Sequence, residues 1–452
     1  MFKSIHPFDQ KLVEEFPLMT ASDVQNKLDI ASNAFQEWRK TSFSRRSELM
    51  LNAASIIRKK KDEFARTITL EMGKLLSEAK AEVEKSATAC EYFANHAEEF
   101  LKDHAIPTEA KQSFVAFQPV GAVLAIMPWN FPFWQVFRFA APALMAGNVG
   151  MLKHAPNVTR CSLMIEKLFQ DAGFPSGVFQ SLVIDVKLVE EIISSDIVQG
   201  VALTGSEAAG SNVAAIAGKN IKRSVLELGG SDAFIVLPDA DLEKTVKIAT
   251  QSRMQNVGQS CIAAKRFIVF QEVKDKFLSL FADNITQLLQ GNPFNEMTTL
   301  GPMARLDLAE KLEEQLERSL ASGATLIVGG HRQGCNFQAS LLDNVGPGMP
   351  AFDEETFGPL AAVITAKDEA AAIALANQTR YGLGATVWTQ DLARGARIAR
   401  ELDSGSVLIN SLMRSDVRLP FGGVKKSGYG RELSEYGIRE FVNVKTISIA
   451  QV

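Results

Sequence analysis

Hydrophobic and polar positions follow two different rhythms along the chain. Between residues 20 and 105, apolar residues recur at helical spacing and charged residues fill the opposite face, which predicts amphipathic surface helices. After Pro107, short apolar runs alternate with helical segments; the runs are GAVLAIMP, NVGMLK, VFQSLVI, IVQGVALTG, RSVLELGG and DAFIVL. We interpret these runs as buried strands. Their alternation with helices predicts parallel βαβ units, and therefore an α/β fold that binds ligands at the carboxyl ends of its strands.

The same alternation resumes after residue 261, in segments such as KRFIVF, PLAAVITAK and GATVWT. It predicts a second α/β domain that begins near residue 230. The C-terminal run FVNVKTISIA is predicted to be a lone strand that pairs outside its own domain. A long apolar stretch from Val115 to Leu152 contains a single charge, Arg138, but four prolines interrupt it. It is therefore interpreted as buried core with a loop in it, because a membrane helix needs about 20 predominantly apolar residues.

Composition narrows the class of protein. A chain of 452 residues is long enough for more than one domain, and its formal net charge of -4 leaves no basic surface typical of nucleic-acid binding. The four cysteines, Cys90, Cys161, Cys261 and Cys335, are scattered without a CxxC pair. This favours a reducing compartment and predicts neither disulfides nor a metal site. With no apolar leader at the N-terminus, we expect a cytoplasmic protein without nucleic-acid or membrane partners.

Cys261, in NVGQSCIAAKR, has two possible interpretations, a structural thiol or a nucleophile. An isolated cysteine is more often a small buried hydrophobe than a nucleophile. Polar residues precede this one, however, and Lys265 and Arg266 follow it, and nearby cations stabilise a thiolate. None of the five histidines lies in a stretch typical of a catalytic base, which weakens a cysteine–histidine hydrolase without excluding it.

Two further residues are candidates for chemistry. Glu227 interrupts an apolar run just before two glycines, so it is either a strand-edge residue in water or a desolvated general base. Asn130 lies on a loop bounded by Pro128 and Pro132, so its amide is either a local turn contact or a fixed oxyanion donor.

Two candidates suggest an anionic ligand. Lys153 ends the strand NVGMLK, where it is either solvated or able to reach phosphate or ribose groups. Ser206 follows a strand and is a natural helix N-cap, so backbone N–H groups near it could receive a pyrophosphate. The sequence there is not GxGxxG, and the signal is weak.

The residues of these motifs and their order along the chain resemble those of a known family. PWNFP, LK, TGS, LELGGSD, GQSC, EETFGP and PFGGVKKSGYGRE occur in succession, and together they resemble the aldehyde dehydrogenase superfamily over nearly the whole chain. Within it, the spacing of Arg138 after PWNFP, and Ser415 in MRSDVRLPFGG, are most similar to the short bacterial succinate-semialdehyde dehydrogenases.

The resemblance implies a three-part subunit. A Rossmann-like cofactor domain would comprise residues 1–105 and 119–229, and an α/β catalytic domain residues 230–430. Residues 106–118 and 440–452 would form a small β oligomerisation flap, so a homodimer or homotetramer is expected.

The resemblance also implies residue roles in NAD(P)-dependent oxidation of an aldehyde to an acid through a thiohemiacetal and a thioester. Cys261 would be the nucleophile, Glu227 the general base and Asn130 the oxyanion donor. No histidine is then needed. The implied cofactor contacts are Trp129, Lys153, Ser206, Glu355 and Phe357, with Glu355 on the nicotinamide ribose.

Cofactor choice depends on one position. Members of the family commonly carry a glutamate three residues after the lysine, where it binds the adenosine ribose and repels a 2′-phosphate. Here that position is Pro156. We therefore expect NAD or NADP, with NADP at least tolerated.

The substrate prediction depends on Arg138 and Ser415. A lone charge in an apolar stretch is costly unless paired, so Arg138 either binds a protein carboxylate or carbonyl, or clamps the distal carboxylate of an acidic aldehyde. Gln255 stands where some succinate-semialdehyde dehydrogenases carry a second arginine. Succinate semialdehyde is the expected substrate, with glutarate semialdehyde and unbranched aliphatic aldehydes as alternatives.

Three rival functions remain at this level. A CoA-acylating aldehyde dehydrogenase is disfavoured because hydrolysis is what requires Glu227. A cysteine-dependent thiol hydrolase or acyltransferase would need a distant histidine and no nicotinamide. A catalytically silent protein is disfavoured because Cys261, Glu227 and Asn130 are all present.

Overall fold

The computed structural model describes residues 1–451. The helices of this part of the chain are α1 (Ala21–Trp38), α2 (Phe43–Lys59), α3 (Lys61–Met72), α4 (Leu76–Phe100), α5 (Trp134–Met145), α6 (Thr159–Asp171), α7 (Val189–Ser194), α8 (Glu207–Lys219), α9 (Leu242–Met254), α10 (Lys274–Thr286), α11 (Leu306–Ala321), α12 (Pro350–Asp353), α13 (Glu369–Asn377), α14 (Leu392–Glu401) and α15 (Ser434–Ile438). The strands are β1 (Phe2–Ile5), β2 (Leu12–Phe16), β3 (His104–Ala105), β4 (Gln112–Pro119), β5 (Ala122–Met127), β6 (Val149–His154), β7 (Phe179–Ser181), β8 (Val198–Thr204), β9 (Arg223–Glu227), β10 (Asp232–Val236), β11 (Ala264–Phe270), β12 (Thr325–Val328), β13 (Arg332–Gln333), β14 (Asn336–Phe337), β15 (Ser340–Asp343), β16 (Leu360–Ala366), β17 (Gly384–Trp388), β18 (Ser406–Ile409), β19 (Gly428–Tyr429) and β20 (Val442–Ile449).

The first sheet has six strands in the order β19-β9-β8-β5-β6-β7. All its neighbours are parallel except β19, which runs antiparallel to β9. The strand predictions from the apolar runs are therefore confirmed for β5, β6, β8 and β9, while VFQSLVI contributes only the short β7. Parallel strands joined by helices place the carboxyl ends of β5, β6, β8 and β9 at one edge.

The second sheet has seven strands in the order β12-β15-β16-β11-β10-β17-β18. It is parallel except for β12, which pairs antiparallel with β15. Its apolar core is separate from the core around the first sheet. Two cores with parallel sheets are what the resumed strand–helix alternation predicts, and the α/β fold class is confirmed.

A third, antiparallel sheet has the order β20-β4-β3. The C-terminal strand pairs with β4 along its whole length, from Val442 opposite Pro119 to Ile449 opposite Gln112. Most of β20 is exposed on both faces, and its apolar residues Val444 and Ile449 are 56% and 45% exposed. The predicted lone strand thus finds its partner far away in sequence.

Of the N-terminal helices, α1 packs on β5, β6 and β7 of the first sheet, whereas α2, α3 and α4 pack against α5 and α6. Thr20 begins α1 with a reciprocal capping box to Asp23, and Ser42 caps α2. The apolar stretch from Val115 to Leu152 forms the end of β4, then β5, α5 and β6, and almost all of β5, α5 and β6 is buried. Across residues 1–451, a helix both long and apolar enough to span a bilayer is absent.

The domain boundaries given above stay predictions. The end of β9 at Glu227 and the start of β10 at Asp232 bracket the predicted boundary near residue 230. One strand crosses the scheme, because β19, at residues 428–429, completes the first sheet rather than the second.

Candidate active site

Cys261 lies in the loop between α9 and β11. A 3₁₀ turn, Gln255–Gly258, follows α9 directly, and within it Asn256 and Val257 adopt left-handed φ values of 53° and 57°. Such values are costly for a β-branched residue, so the surrounding contacts must hold the turn. The backbone N–H of Asn256 donates to the Glu78 carboxylate at 3.0 Å. The thiol itself is partly exposed.

Lys265 organises the turn that carries Cys261. Its Nζ is almost fully buried and donates to the carbonyl oxygens of Ser260, Cys261 and Ala263 at 3.1, 2.9 and 3.2 Å. In a trans peptide the carbonyl of one residue and the N–H of the next point in opposite directions. Because Lys265 draws the Ser260 carbonyl inward, the Cys261 N–H is turned away from the ammonium, and it is thereby available as a donor.

Arg266 takes no part in this turn. Successive side chains of a strand point to opposite faces, and Arg266 binds the carbonyls of Ser231, Leu375 and Ala376 on the other face of β11. Of the two cations that follow Cys261 in sequence, only Lys265 therefore approaches it.

Asn130 lies opposite, on the loop after β5. It is 3% exposed, and its Nδ2 donates to the carbonyl of Gln259 at 3.1 Å. A side-chain amide has two N–H donors. That bond fixes the plane of the amide, and one N–H remains for a ligand.

A buried ion pair supports the Asn130 loop. Lys74 Nζ pairs with Glu82 and donates to the Asn130 carbonyl at 2.8 Å. The other Glu82 oxygen accepts the N–H groups of Phe133 and Trp134 at 2.8 and 3.1 Å, which are unpaired donors at the start of α5. The pair thus holds both ends of the loop.

Glu227 is the last residue of β9, as predicted, and it is 2% exposed. Neither of its carboxylate oxygens has a hydrogen-bond partner among the described residues. Burial raises the pKa of Glu227 well above its usual range; Arg138 opposes this shift and Glu432 adds to it. A buried carboxylate without internal partners is suited to exchange a proton with a ligand or water.

The surroundings of Cys261 favour its neutral thiol over the thiolate. Burial raises its pKa to about 12, and the nearby charges of Arg138 and Lys265 only partly counteract that effect. The sequence left open that Lys265 and Arg266 stabilise a Cys261 thiolate. The raised pKa does not support that interpretation.

Two cavities meet at Cys261. The larger, of about 850 Å³, opens toward the carboxyl ends of β5, β8 and β9. The smaller, of about 150 Å³, lies against α4, α5 and the segment 412–415. Cys261 and Gln135 line both.

The larger cavity collects four of the five predicted cofactor residues: Trp129, Ser206, Glu355 and Phe357. Lys153 is not in its lining; it is half-buried at the end of β6, beside β5, and burial lowers its pKa. Ser206 caps α8 through the N–H of Ala209, as predicted. Glu355 lies 4.0 Å from Lys265 and accepts the Gly230 N–H at 2.9 Å.

The two glycines after Glu227 permit close packing here. A Cβ at Gly229 would come within 2.5 Å of the Glu355 carboxylate, and one at Gly230 within 2.6 Å of the Cys261 carbonyl. The backbone contact at Gly230 leaves no room for a side chain, whereas the contact at Gly229 could be relieved by a shift of the Glu355 side chain.

The two predicted substrate residues line the smaller cavity. Ser415 is buried, and its Oγ accepts a hydrogen bond from Lys85 at 2.8 Å. Arg138 is also buried, but it forms an ion pair with Glu432 and donates to Thr204 Oγ1 at 3.2 Å. Arg138 therefore does bind a protein carboxylate, which was one of the two interpretations open from the sequence. Its role toward the substrate stays a prediction.

Sequence reasoning missed the residues that support the site from α4 and the turn before it. Lys74, Glu78, Glu82 and Lys85 lie in a region interpreted only as amphipathic surface helices. One signal was available, because Glu82 falls on the apolar stripe of α4 with Ala79 and Val83. A charge on that stripe implies a buried partner.

Comparison with known proteins agrees with this geometry. The model of the aldehyde dehydrogenase family matches residues 1–447. This chain belongs to the aldehyde dehydrogenase family.

Relatives within the family have specific names. A probable succinate-semialdehyde dehydrogenase (NADP+) of Synechocystis is 47% identical, with 99% of both chains covered. A succinate semialdehyde dehydrogenase (NAD(P)+) of Escherichia coli is 44% identical, with 98% of this chain and 97% of that protein covered. The structure of a succinic semialdehyde dehydrogenase from Streptococcus pyogenes with NADP+ has a TM-score of 0.98 at 36% identity, covering 100% of both chains.

The role of Lys265 can be tested by substitution. Lys265→Met leaves three carbonyls without their donor, so the turn loses its orientation and kcat should fall about 10- to 100-fold. Lys265→Arg, which keeps the charge, should recover part of the loss. Exposed Lys247 on α9 provides the matched control, Lys247→Met. Wild-type kcat in Lys265→Met, with an unchanged melting temperature, would show that the ammonium does not position Cys261.

Proposed function

We propose that the protein oxidises an aldehyde to a carboxylic acid with NAD or NADP, and that succinate semialdehyde is its substrate. The observation that carries the proposal is the junction of two cavities at a partly exposed Cys261, with a free Asn130 N–H and an unpartnered Glu227 close by. The names of the relatives support the substrate and the cofactor.

In this proposal the Cys261 thiol releases its proton to solvent water, and Sγ attacks the aldehyde carbon from the junction of the cavities. The carbonyl oxygen becomes an oxyanion, which the Asn130 Nδ2–H and the Cys261 N–H stabilise. Both donors are held by contacts made before substrate arrives, through Gln259 for Asn130 and through Lys265 for the turn. Donors fixed in advance need no reorganisation when charge develops.

The larger cavity suits a dinucleotide. Its volume is within the range of cofactor sites, and the N-terminus of the 13-residue helix α8 borders it. Glu207, which would repel a phosphate there, is paired with Arg380 at 3.3 Å. In the proposal Trp129, Ser206, Glu355 and Phe357 hold the cofactor, with Lys153 at the neighbouring strand end. The nicotinamide, when bound, supplies the hydride acceptor.

Glu227 is assigned to hydrolysis of the thioester. Burial raises its pKa, and a carboxylate with a raised pKa is a more effective proton acceptor from water. Both of its oxygens are free to contact that water.

Substrate choice is assigned to the smaller cavity. Arg138 and Ser415 line it, and in the proposal the distal carboxylate of succinate semialdehyde lies there. The assembly proposed is a homodimer or homotetramer formed through the β20-β4-β3 sheet, supported by the exposed Val444 and Ile449. Cytoplasmic localisation remains part of the proposal.

The activity is tested with an aldehyde panel, measured by absorbance of the reduced nicotinamide. Succinate semialdehyde should be preferred over butanal, and Cys261→Ala should give no turnover. Turnover that persists in Cys261→Ala, or thioester hydrolysis without nicotinamide, would contradict the proposal.

The hydrolytic role of Glu227 predicts a burst. In Glu227→Gln, acylation continues while the thioester persists, so about one equivalent of reduced cofactor per subunit should form before turnover slows by roughly 10²- to 10⁴-fold. In the wild type, Glu227 is protonated below its raised pKa and cannot accept a proton, so turnover should rise with pH above the usual carboxylate range. Loss of the burst together with turnover would argue against an assignment to hydrolysis.

Cofactor tolerance is tested at Pro156. This residue is exposed at the start of a 3₁₀ turn, Pro156–Val158, so a glutamate fits there. Pro156→Glu should raise KM for NADP much more than KM for NAD, because its carboxylate repels the 2′-phosphate. Pro156→Ala, which removes the ring without adding charge, is the control. Equal changes for both cofactors would place the adenosine ribose elsewhere.

A further inference from the structure

The smaller cavity contains several charged side chains, and their partners differ. Those that line it are Glu78, Glu82, Lys85, Arg138 and Arg414. A buried charge that already has a protein partner contributes little net charge to a ligand, whereas an unpaired one strongly favours a counter-ion.

Most of these charges are satisfied by the protein. Arg138 is paired with Glu432. Glu82 is paired with Lys74 and also accepts two N–H groups at the start of α5. Glu78 accepts the N–H of Asn256. Arg414 has no carboxylate within 4.0 Å among the described residues, but it is exposed and therefore solvated.

Lys85 is different. Its ammonium lies 4.0 Å from the centroid of the Trp134 ring, and its one hydrogen bond to the described residues is to Ser415 Oγ at 2.8 Å. Glu82 and Asp416 are the acidic side chains whose charges act on Lys85, but neither lies within 4.0 Å of it, and each already has another cation as its partner. Burial, with a contribution from the charge of Arg138, lowers the pKa of Lys85 to about 7.

The hydrogen bond from Lys85 also determines which bonds the Ser415 hydroxyl can make. Because the Ser415 oxygen accepts from Lys85, its own hydroxyl hydrogen is free to donate. When Lys85 is protonated, the two side chains therefore present an ammonium and a hydroxyl, both donors, into one cavity that also contains Cys261. A carboxylate accepts both kinds of bond and supplies the missing negative charge.

We propose that Lys85, acting with the Ser415 hydroxyl, binds the distal carboxylate of the substrate and is the main determinant of preference for an acidic aldehyde. This inference rests on the proposed function and assigns within it the unpaired cation. The charge of Arg138 is balanced by Glu432. Arg138 then forms part of the cavity wall, and it does not supply the positive charge that neutralises the substrate carboxylate.

The test compares succinate semialdehyde with butanal, which has the same carbon chain without the carboxylate. In Lys85→Met, kcat/KM for succinate semialdehyde should fall roughly 10- to 100-fold, the loss expected for one charged hydrogen bond, mainly through KM. The value for butanal should stay within about threefold. Lys80→Met, on the same helix but paired with exposed Asp62, is the matched control and should change neither.

A second measurement distinguishes weaker binding of the carboxylate in Lys85→Met from a general loss of activity in that variant. Succinate, as a competitive inhibitor of butanal oxidation, should bind the wild type and Lys80→Met equally and Lys85→Met at least tenfold more weakly. An unchanged ratio of the two aldehydes in Lys85→Met, with unchanged inhibition by succinate, would overturn the assignment of Lys85 and leave the proposed function intact. A wild type that does not prefer succinate semialdehyde over butanal would overturn the proposed substrate, and Lys85 with it.

Discussion

The buried ion pair between Lys74 and Glu82 is the contact on which the rest of the site depends. It joins the start of the α4 region to the loop after β5 by holding the Asn130 carbonyl and the first N–H groups of α5. Burying two charges is costly unless their remaining hydrogen-bonding capacity is used. Here the backbone uses it, so the loop cannot move without leaving charges unsatisfied.

The same device recurs around Cys261. Lys265 takes three carbonyls of the turn, and Glu78 takes the N–H of left-handed Asn256. Charged side chains thus fix irregular backbone in both loops that bear reacting groups. By contrast, two groups in these loops and beside them are left without partners: the Glu227 carboxylate and one N–H of Asn130. Rigid surroundings are what allow these groups to stay unsatisfied, since they have no alternative partner to turn toward.

The sequence was most informative where chemistry is carried by local motifs. Cys261, Asn130 and Glu227 each lie at a strand end or in a rigid loop that short runs of residues predict, and their family resemblance supplied roles that spacing alone left open. Partners distant in the chain could not be predicted in the same way. Arg138 was recognised as a charge in need of compensation, but nothing near it indicates Glu432, because β19 and the segment after it return to the first sheet only in the folded chain. Lys85 was missed since one lysine among many on an amphipathic helix carries no local signal.

The arrangement also explains why one thiol can serve two ligands. The Cys261 turn borders both cavities. Apart from Cys261 and Gln135, which line both, the cavities have different walls: the edge of the first sheet, α11 and residues 353–357 for one, and α4, α5 and the segment 412–415 for the other. Charges within the walls are largely internal pairs, so each cavity is defined by the few groups that remain free. On the cofactor side these include the α8 N-terminus, and on the aldehyde side the Lys85 ammonium with the Ser415 hydroxyl. Specificity for each ligand can therefore change through the free groups of one wall without moving the sulfur, because the turn is also held by bonds from Lys265 and Asn256 to its own carbonyls.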